Sequence, residues 1–213
     1  MTTASARLLE LALPLVKTHG FTREALSLSV LSLPTPLAHP LPDASVTALF
    51  GQGDDARRVL VNAWLDDARY KMKAESSPTT ALGDILKARL TSNEPVLQHL
   101  PEAFALLASS SPVLPLDPTP VLKHAADVAN QACWIAHSDA RELSWYTRRA
   151  SVSAIYLAAE LHQLTSPRTA SAFLDSLLEN ASHAEKALDE TTLFATYVWK
   201  SWKGIIKSSG VVF

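Results

Sequence analysis

The sequence predicts an all-α protein, and three observations carry that prediction. Apolar residues recur at spacings of three and four through most of the chain, no alternating strand pattern occurs, and only 6 glycines punctuate 213 residues rich in Ala, Leu and Ser. The length gives room for one large or two small domains around a substantial core. Hydrophobic content is an ordinary 47%, charged content a low 19%, and the net charge of -2 provides no general attraction to nucleic acid. Cys133 is the only cysteine, so no internal disulfide forms and a reducing compartment suits the chain. No apolar run is long enough to span a bilayer. Met1 to Ser5 leads directly into helical pattern without an Arg-rich targeting segment, which fits either a removed leader or none.

Taken in order, Leu8, Leu11, Ala12, Leu15 and Val16 set the inward face of a helix from Arg7 to His19, with Pro14 predicting a kink. Gly20 closes it, and Thr22 caps a helix running through Leu31. Pro34, Pro36, Pro40 and Pro42 exclude regular helix, so this stretch is extended loop. Asp43 restarts helix towards Phe50, Gly51 and Gly53 punctuate, and Asp54 opens a long helix to about Ala74. Its inward stripe includes Val59, Leu60, Ala63, Trp64 and Met72.

A helix from about Pro78 to Leu90 turns Ala81, Ile85, Leu86 and Leu90 inward. Another, from near Pro95 to Ala108, uses Val96, Leu100, Phe104 and Leu107. Ser109 to Pro120 is a proline-rich loop, and Pro120 to Ala136 is helix again. Asp139 and Glu142 form a capping box for a helix reaching about Leu164. Ser166 caps and Pro167 starts the next, whose core stripe is Ala170, Phe173, Leu174, Leu177, Leu178 and Ala181.

From Thr191 to Ser208 the pattern is amphipathic and without acidic residues. Phe194, Val198, Trp202 and Ile205 share one helix face, flanked by Tyr197 and Ile206. Lys200, Lys203 and Lys207 cluster opposite. A helix of this kind lies flat in a membrane interface, and at about 25 Å it is too short to cross a ~30 Å hydrocarbon core. The other reading is an ordinary amphipathic helix packed on the protein's own core.

Gly20-Phe21-Thr22, a following helix, then Leu49-Phe50-Gly51 before an acidic-started helix resembles the opening of TetR-type regulators. That resemblance implies a helix-turn-helix followed by a larger ligand-binding helical bundle. The prolines interrupt the expected recognition region, and between Phe21 and Ala56 the only Lys or Arg is Arg23. Phosphate neutralisation needs several cations, so the expectation is a TetR-like scaffold with a degenerate helix-turn-helix and no nucleic-acid partner.

The sharpest match is Ser138 to Leu164, with the string Trp145-Tyr146-Thr147-Arg148-Arg149, then Ile155-Tyr156 and Glu160-Leu161. It resembles the Coq nine family of mitochondrial ubiquinone-biosynthesis accessory proteins, and the likeness extends back to Gly20-Phe21-Thr22 and forward into the tail. The resemblance implies a TetR-like, homodimeric, non-catalytic protein at the matrix side of the mitochondrial inner membrane. It also implies binding of isoprenoid lipids, among them ubiquinone precursors, and their presentation to the di-iron demethoxyubiquinone hydroxylase. The partner surface then falls on Glu142, Trp145, Tyr146 and Arg149, and the tail docks on the membrane surface. The corresponding division is residues 1–75 as N-terminal TetR-like helices, 76–189 as the lipid-binding domain and 190–213 as the tail.

Residue chemistry alone places Trp145 and Tyr146 about 100° apart on a helix, so both cannot face one core. Exposed Trp, Tyr and Arg anchor interfaces; the alternative is Trp145 in the core and Tyr146 half-buried. Tyr156 and Glu160 have the spacing of a hydrogen-bonded pair on one helix face. Phe104, Leu107, Ile155 and Leu174 are the candidate walls of an apolar lipid pocket. No Glu-x-x-His or His-x-x-x-His occurs among the 7 histidines, so neither a di-iron centre nor another metal site is expected. No cofactor or catalytic set is called for, and Cys133, between Ala132 and Trp134, reads as a buried structural thiol. Two other functions stay open: a ligand-responsive DNA-binding regulator and a helical interaction scaffold without a pocket.

Overall fold

The computed structural model describes residues 3–77, 80–109, 116–136 and 143–184, and among them only helices, turns and loops occur. The all-α expectation therefore holds. Pro14, which lacks an N–H and clashes with the preceding turn, ends α1 (Thr3–Ala12). The chain tightens into a 3-10 turn at Leu13–Leu15 and resumes as α2 (Val16–His19). Gly20 terminates it at φ 65°, and a Cβ built there would lie 2.9 Å from His99 Nδ1. Both backbone and space demand glycine here. Phe21 then enters the core edge-on to Trp64, ring centres 5.8 Å apart.

Thr22 caps α3 (Arg23–Leu28), its Oγ1 accepting from Ala25 N–H at 3.3 Å. The helix stops earlier than the expected Leu31 and becomes a 3-10 turn at Ser29–Ser32, just before the prolines. The proline-rich loop is tied to α3 by Leu41 N–H donating to Ser27 O at 3.0 Å and Ser27 Oγ donating to Leu41 O at 2.6 Å. α4 (Asp43–Phe50) follows, and Arg23 ties the region together. It bonds Asp43 Oδ1 at 2.6 Å, Thr47 Oγ1 at 2.7 Å and the carbonyls of Gly51 and Gly53.

α5 (Asp54–Glu75) has a wider buried face than one stripe. Ala56, Leu60, Val61, Trp64, Leu65, Ala68 and Met72 are buried, while the expected Val59 and Ala63 are only partly so. The reason is its central position: α1, α3, α4, α6, α7 and α8 all pack against it. α6 (Leu82–Thr91) begins later than expected, because Thr80 Oγ1 accepts from Ser77 N–H in a turn and Ala81 is extended and exposed. Glu94–His99 is 3-10 rather than α-helical. Pro95 and Pro101 each remove an N–H, so regular helix starts only at α7 (Leu100–Ala108), with Pro101 in its first turn.

α8 (Thr119–Ile135), α9 (Leu143–Thr165) and α10 (Ala170–Ala184) follow. Ser166 and Pro167 stand at the cap and first positions as expected, but they open a 3-10 turn before the α-helix and the serine makes no side-chain cap. Instead its carbonyl accepts from Thr169 around that turn, Pro167–Thr169. Of the α10 stripe, Ala170 and Leu174 are buried, and Phe173, Leu177, Leu178 and Ala181 pack partly covered against the core. The capping box at Asp139 and Glu142 lies outside the described residues. α9 packs most extensively on α8 and α10, and one continuous apolar cluster runs from α1 to α10, Cys133 within it. No helix among the described residues is long and apolar enough to cross a membrane.

Candidate functional site

α9 presents two different chemical surfaces, one exposed near its start and one buried near its end. Tyr146 is 70% exposed, although an aromatic ring of this size contributes most when covered. Arg149 reaches across to α8, where its Nε donates to Asn130 Oδ1 at 3.0 Å and its guanidinium lies 5.9 Å from the centre of the Trp134 ring. Trp134 is itself 63% exposed. Two adjacent helices thus display an arginine braced between an amide and an indole, beside an open tyrosine. Trp145 lies on the same turn of α9. Glu142 and the tail residues Phe194, Tyr197, Val198, Lys200, Trp202, Lys203, Ile205, Ile206 and Lys207 lie outside the described residues.

Eleven residues on from Arg149 the helix carries Glu160, 0% exposed. Its Oε1 accepts from Tyr156 Oη at 2.7 Å and from Asn93 Nδ2 at 3.0 Å. Asn93 also donates to Gln163 Oε1 at 3.1 Å, and Gln163 Nε2 closes back on Leu90 O at 2.8 Å. Arg89, 1% exposed, sends Nη1 to Ser92 Oγ at 3.0 Å and to Asn93 Oδ1, and its guanidinium lies 5.5 Å from the Trp64 ring centre. His124 Nε2 completes the cluster at 3.2 Å from Glu160 Oε2 and 3.4 Å from Oε1.

Burial alone would push the Glu160 carboxyl up. The charge and hydrogen bond of His124, then Arg89 and Tyr156, outweigh it and hold the group down at about 2. Burial, with the neighbouring carboxylate, raises the Tyr156 hydroxyl well above its ordinary value, so it remains a neutral donor. The cluster therefore joins α6, α8 and α9 around one ionised carboxylate.

Of the four candidate pocket residues, Phe104, Leu107, Ile155 and Leu174 are all buried in the continuous core. A surface cleft of about 250 Å³ lies between α5 and α8 and is lined instead by Asn62, Leu65, Arg69, Pro120 and His124 among others. The Tyr156–Glu160 pair was visible in the sequence, but its partners were not. Arg89 stands three and four residues from Leu86 and Ile85, on the inward face of α6, which is the signal that could have found it. Trp134 was missed as a surface residue.

Comparison with known proteins settles which family this geometry belongs to. The sequence model of COQ9 matches residues 119–185, which is α8 through the end of α10. The chain belongs to the COQ9 family. It is 30% identical over 169 residues to "Ubiquinone biosynthesis protein COQ9, mitochondrial" of Bos taurus, covering 73% of this chain and 49% of that protein. Identity to "Ubiquinone biosynthesis protein coq9, mitochondrial" of Schizosaccharomyces pombe is 24% over 131 residues, covering 60% of this chain and 50% of that one. Identity to "Ubiquinone biosynthesis protein COQ9-A, mitochondrial" of Xenopus laevis is 33% over 92 residues, 43% of this chain and 27% of that one. The chain spans about half the length of the first two relatives. Within the matched region lie both surfaces of α9, the exposed Tyr146 and Trp134 with the half-buried Arg149, and the buried His124, Tyr156 and Glu160.

Proposed function

We propose that this chain is a lipid-binding accessory protein of ubiquinone biosynthesis, holding isoprenoid quinone precursors and presenting them to the di-iron demethoxyubiquinone hydroxylase. The relatives' names carry the pathway and the mitochondrial compartment; the matrix face of the inner membrane is our placement within it. The observation that carries the reading is the open Tyr146 beside Arg149 and Trp134, inside the region that the family shares. Large aromatic and arginine side chains kept at a surface serve as anchors for a partner.

In this reading Glu142, Trp145, Tyr146 and Arg149 meet the hydroxylase. Phe104, Leu107, Ile155 and Leu174 are the walls that a prenyl chain contacts once the helices part around it. The amphipathic 190–213 segment rests on the membrane surface, with residues 76–189 as the lipid-binding domain. The N-terminal helices of 1–75 form a TetR-like scaffold that has lost DNA binding, and the chain acts as a homodimer without catalysing a step itself. The donors of Arg23 are spent on Asp43, Thr47 and two carbonyls, which agrees with the absence of a nucleic-acid role.

Two substitutions, Trp145→Lys and Tyr146→Lys, test the partner surface. Each is expected to abolish co-purification with the hydroxylase while the helical circular dichroism stays intact. Undiminished co-purification would remove the assignment. Mass spectrometry of molecules that co-purify with the protein is expected to find isoprenoid lipid, and its repeated absence would favour a scaffold without a pocket.

A further inference from the structure

α9 is packed unevenly along its length. From Ile155 to Leu161 every residue is buried, and among the side chains described Val152 is the first of this helix to enter the core. Between Tyr146 and Ser151 every residue is exposed except the half-buried Arg149, which ties these turns to α8 through Asn130 and Trp134. A helix end that places few apolar side chains in the core opens locally at low cost.

The same turns carry charge of one sign. Arg148 and Arg149 precede Ala150, Ser151 and Val152, and no Asp or Glu occurs from Leu143 to Ala159. Elsewhere in the described helices an arginine holds its counter-ion one turn away: Arg7 with Glu10, and Arg57, Arg58 and Arg69 with Asp54, Asp55 and Asp66. The positions three and four from Arg148 are Ser144, Trp145, Ser151 and Val152, none of them acidic. An anion on Ser151 supplies the counter-ion that Arg148 lacks within its own helix.

Two guanidiniums at the third and second positions before a serine, a small residue between and an apolar residue after it form a charge pattern that an acidic kinase groove reads. We infer that Ser151 is a phosphorylation site for such a kinase, and that its phosphate weakens the partner surface at Tyr146 and Arg149. Kinase binding extends the turns around Ser151 and draws Val152 from the core. Ser151 Oγ then attacks the γ-phosphorus of Mg²⁺-bound ATP, its proton passes to the kinase's catalytic aspartate, and ADP leaves. The product carries a charge of about −1.5 to −2 and pairs with Arg148, so the positive charge of this stretch is cancelled. Arg149 stands two residues away, inside a Debye length of about 8 Å at physiological salt, and a partner drawn to that cation is held less tightly. The modification itself stands on the exposed motif; its effect on the hydroxylase rests on the proposed function.

The test incubates the full, folded chain with Mg²⁺-ATP and the catalytic subunit of a cyclic-AMP-dependent kinase, whose substrate groove is acidic. Mass spectrometry of the digested product is expected to place phosphate on Ser151 and to find that Ser151→Ala lowers incorporation at least about tenfold. Arg148→Gln is expected to raise the KM for the chain about tenfold with kcat unchanged, because the arginine is read by the kinase and takes no part in the transfer. The phosphorylated chain is expected to bind the hydroxylase about tenfold more weakly, and phosphatase treatment to restore the affinity. Incorporation only in urea, or an equal rate on Ser151→Ala, would overturn the site. Undiminished hydroxylase binding by the phosphorylated chain would overturn the effect on the partner surface. Absence of hydroxylase binding by the unmodified chain would overturn the partner reading and that effect with it, while phosphate on Ser151 still decides the site.

Discussion

The Arg149 guanidinium lies 5.9 Å from the centre of the Trp134 ring while its Nε bonds Asn130 Oδ1, so one side chain of α9 fixes two exposed side chains of α8. Such an exposed cation–π contact is worth only about 0.5–1 kcal/mol. Trp134→Ala is therefore expected to lower the unfolding free energy by about that much, yet to weaken hydroxylase binding markedly. Calorimetric binding beside a urea titration separates the two effects, and a loss of stability with undisturbed binding would place Trp134 outside the partner surface.

Glu160 titrates with a consequence for acid stability. Its folded carboxyl is depressed to about 2 from an ordinary 4.5, so the stabilisation is fully present above about pH 4.5 and is lost as pH falls towards about 2. The parent protein is expected to lose urea resistance across that window, and Glu160→Gln, with no charge to titrate, is expected to lose less. Identical acid profiles would show that Glu160 carries no such linkage. The basic groups facing it are Arg89 of α6 and His124 of α8.

Arg89 allows a second test of the cluster. Removing one member of a buried ion pair leaves the other uncompensated and costs about 3–5 kcal/mol. Arg89→Met is expected to destabilise by that order in chemical denaturation. Combining it with Glu160→Leu removes the stranded charge, so the double variant should be more stable than the sum of the two single changes predicts. Strict additivity would mean the two residues are uncoupled.

Deleting residues 190–213 removes Lys200, Lys203 and Lys207 together with Phe194 and Trp202. Flotation with anionic liposomes is expected to fall sharply while the helical signal of the remaining chain persists. Undiminished flotation would assign the segment to the protein's own core.

Most helices were legible because proline and glycine mark their ends and apolar spacing marks their faces. Pro14, Thr22, Gly51 and Asp54 act where the sequence placed them. The misreadings come from contacts that local spacing does not encode. The extra buried residues of α5 answer to neighbours on several sides, and Thr80 is drawn into a turn by Ser77. The 70% exposure of Tyr146 is one of two outcomes that helix spacing alone leaves open. The cluster around Glu160 needs Asn93, 67 positions away, and no local period joins them.

Cys133 sits 1% exposed where α8 faces the core, and it is the only thiol of the chain. Alkylation of the native protein is thus gated by separation of α8 from its neighbours, since reagents attack an accessible thiolate. Reaction rate becomes a clock for that opening, readable without adding any label. A cysteine introduced at an exposed position such as Tyr70 or Leu122 can accordingly be modified alone, ahead of the native one.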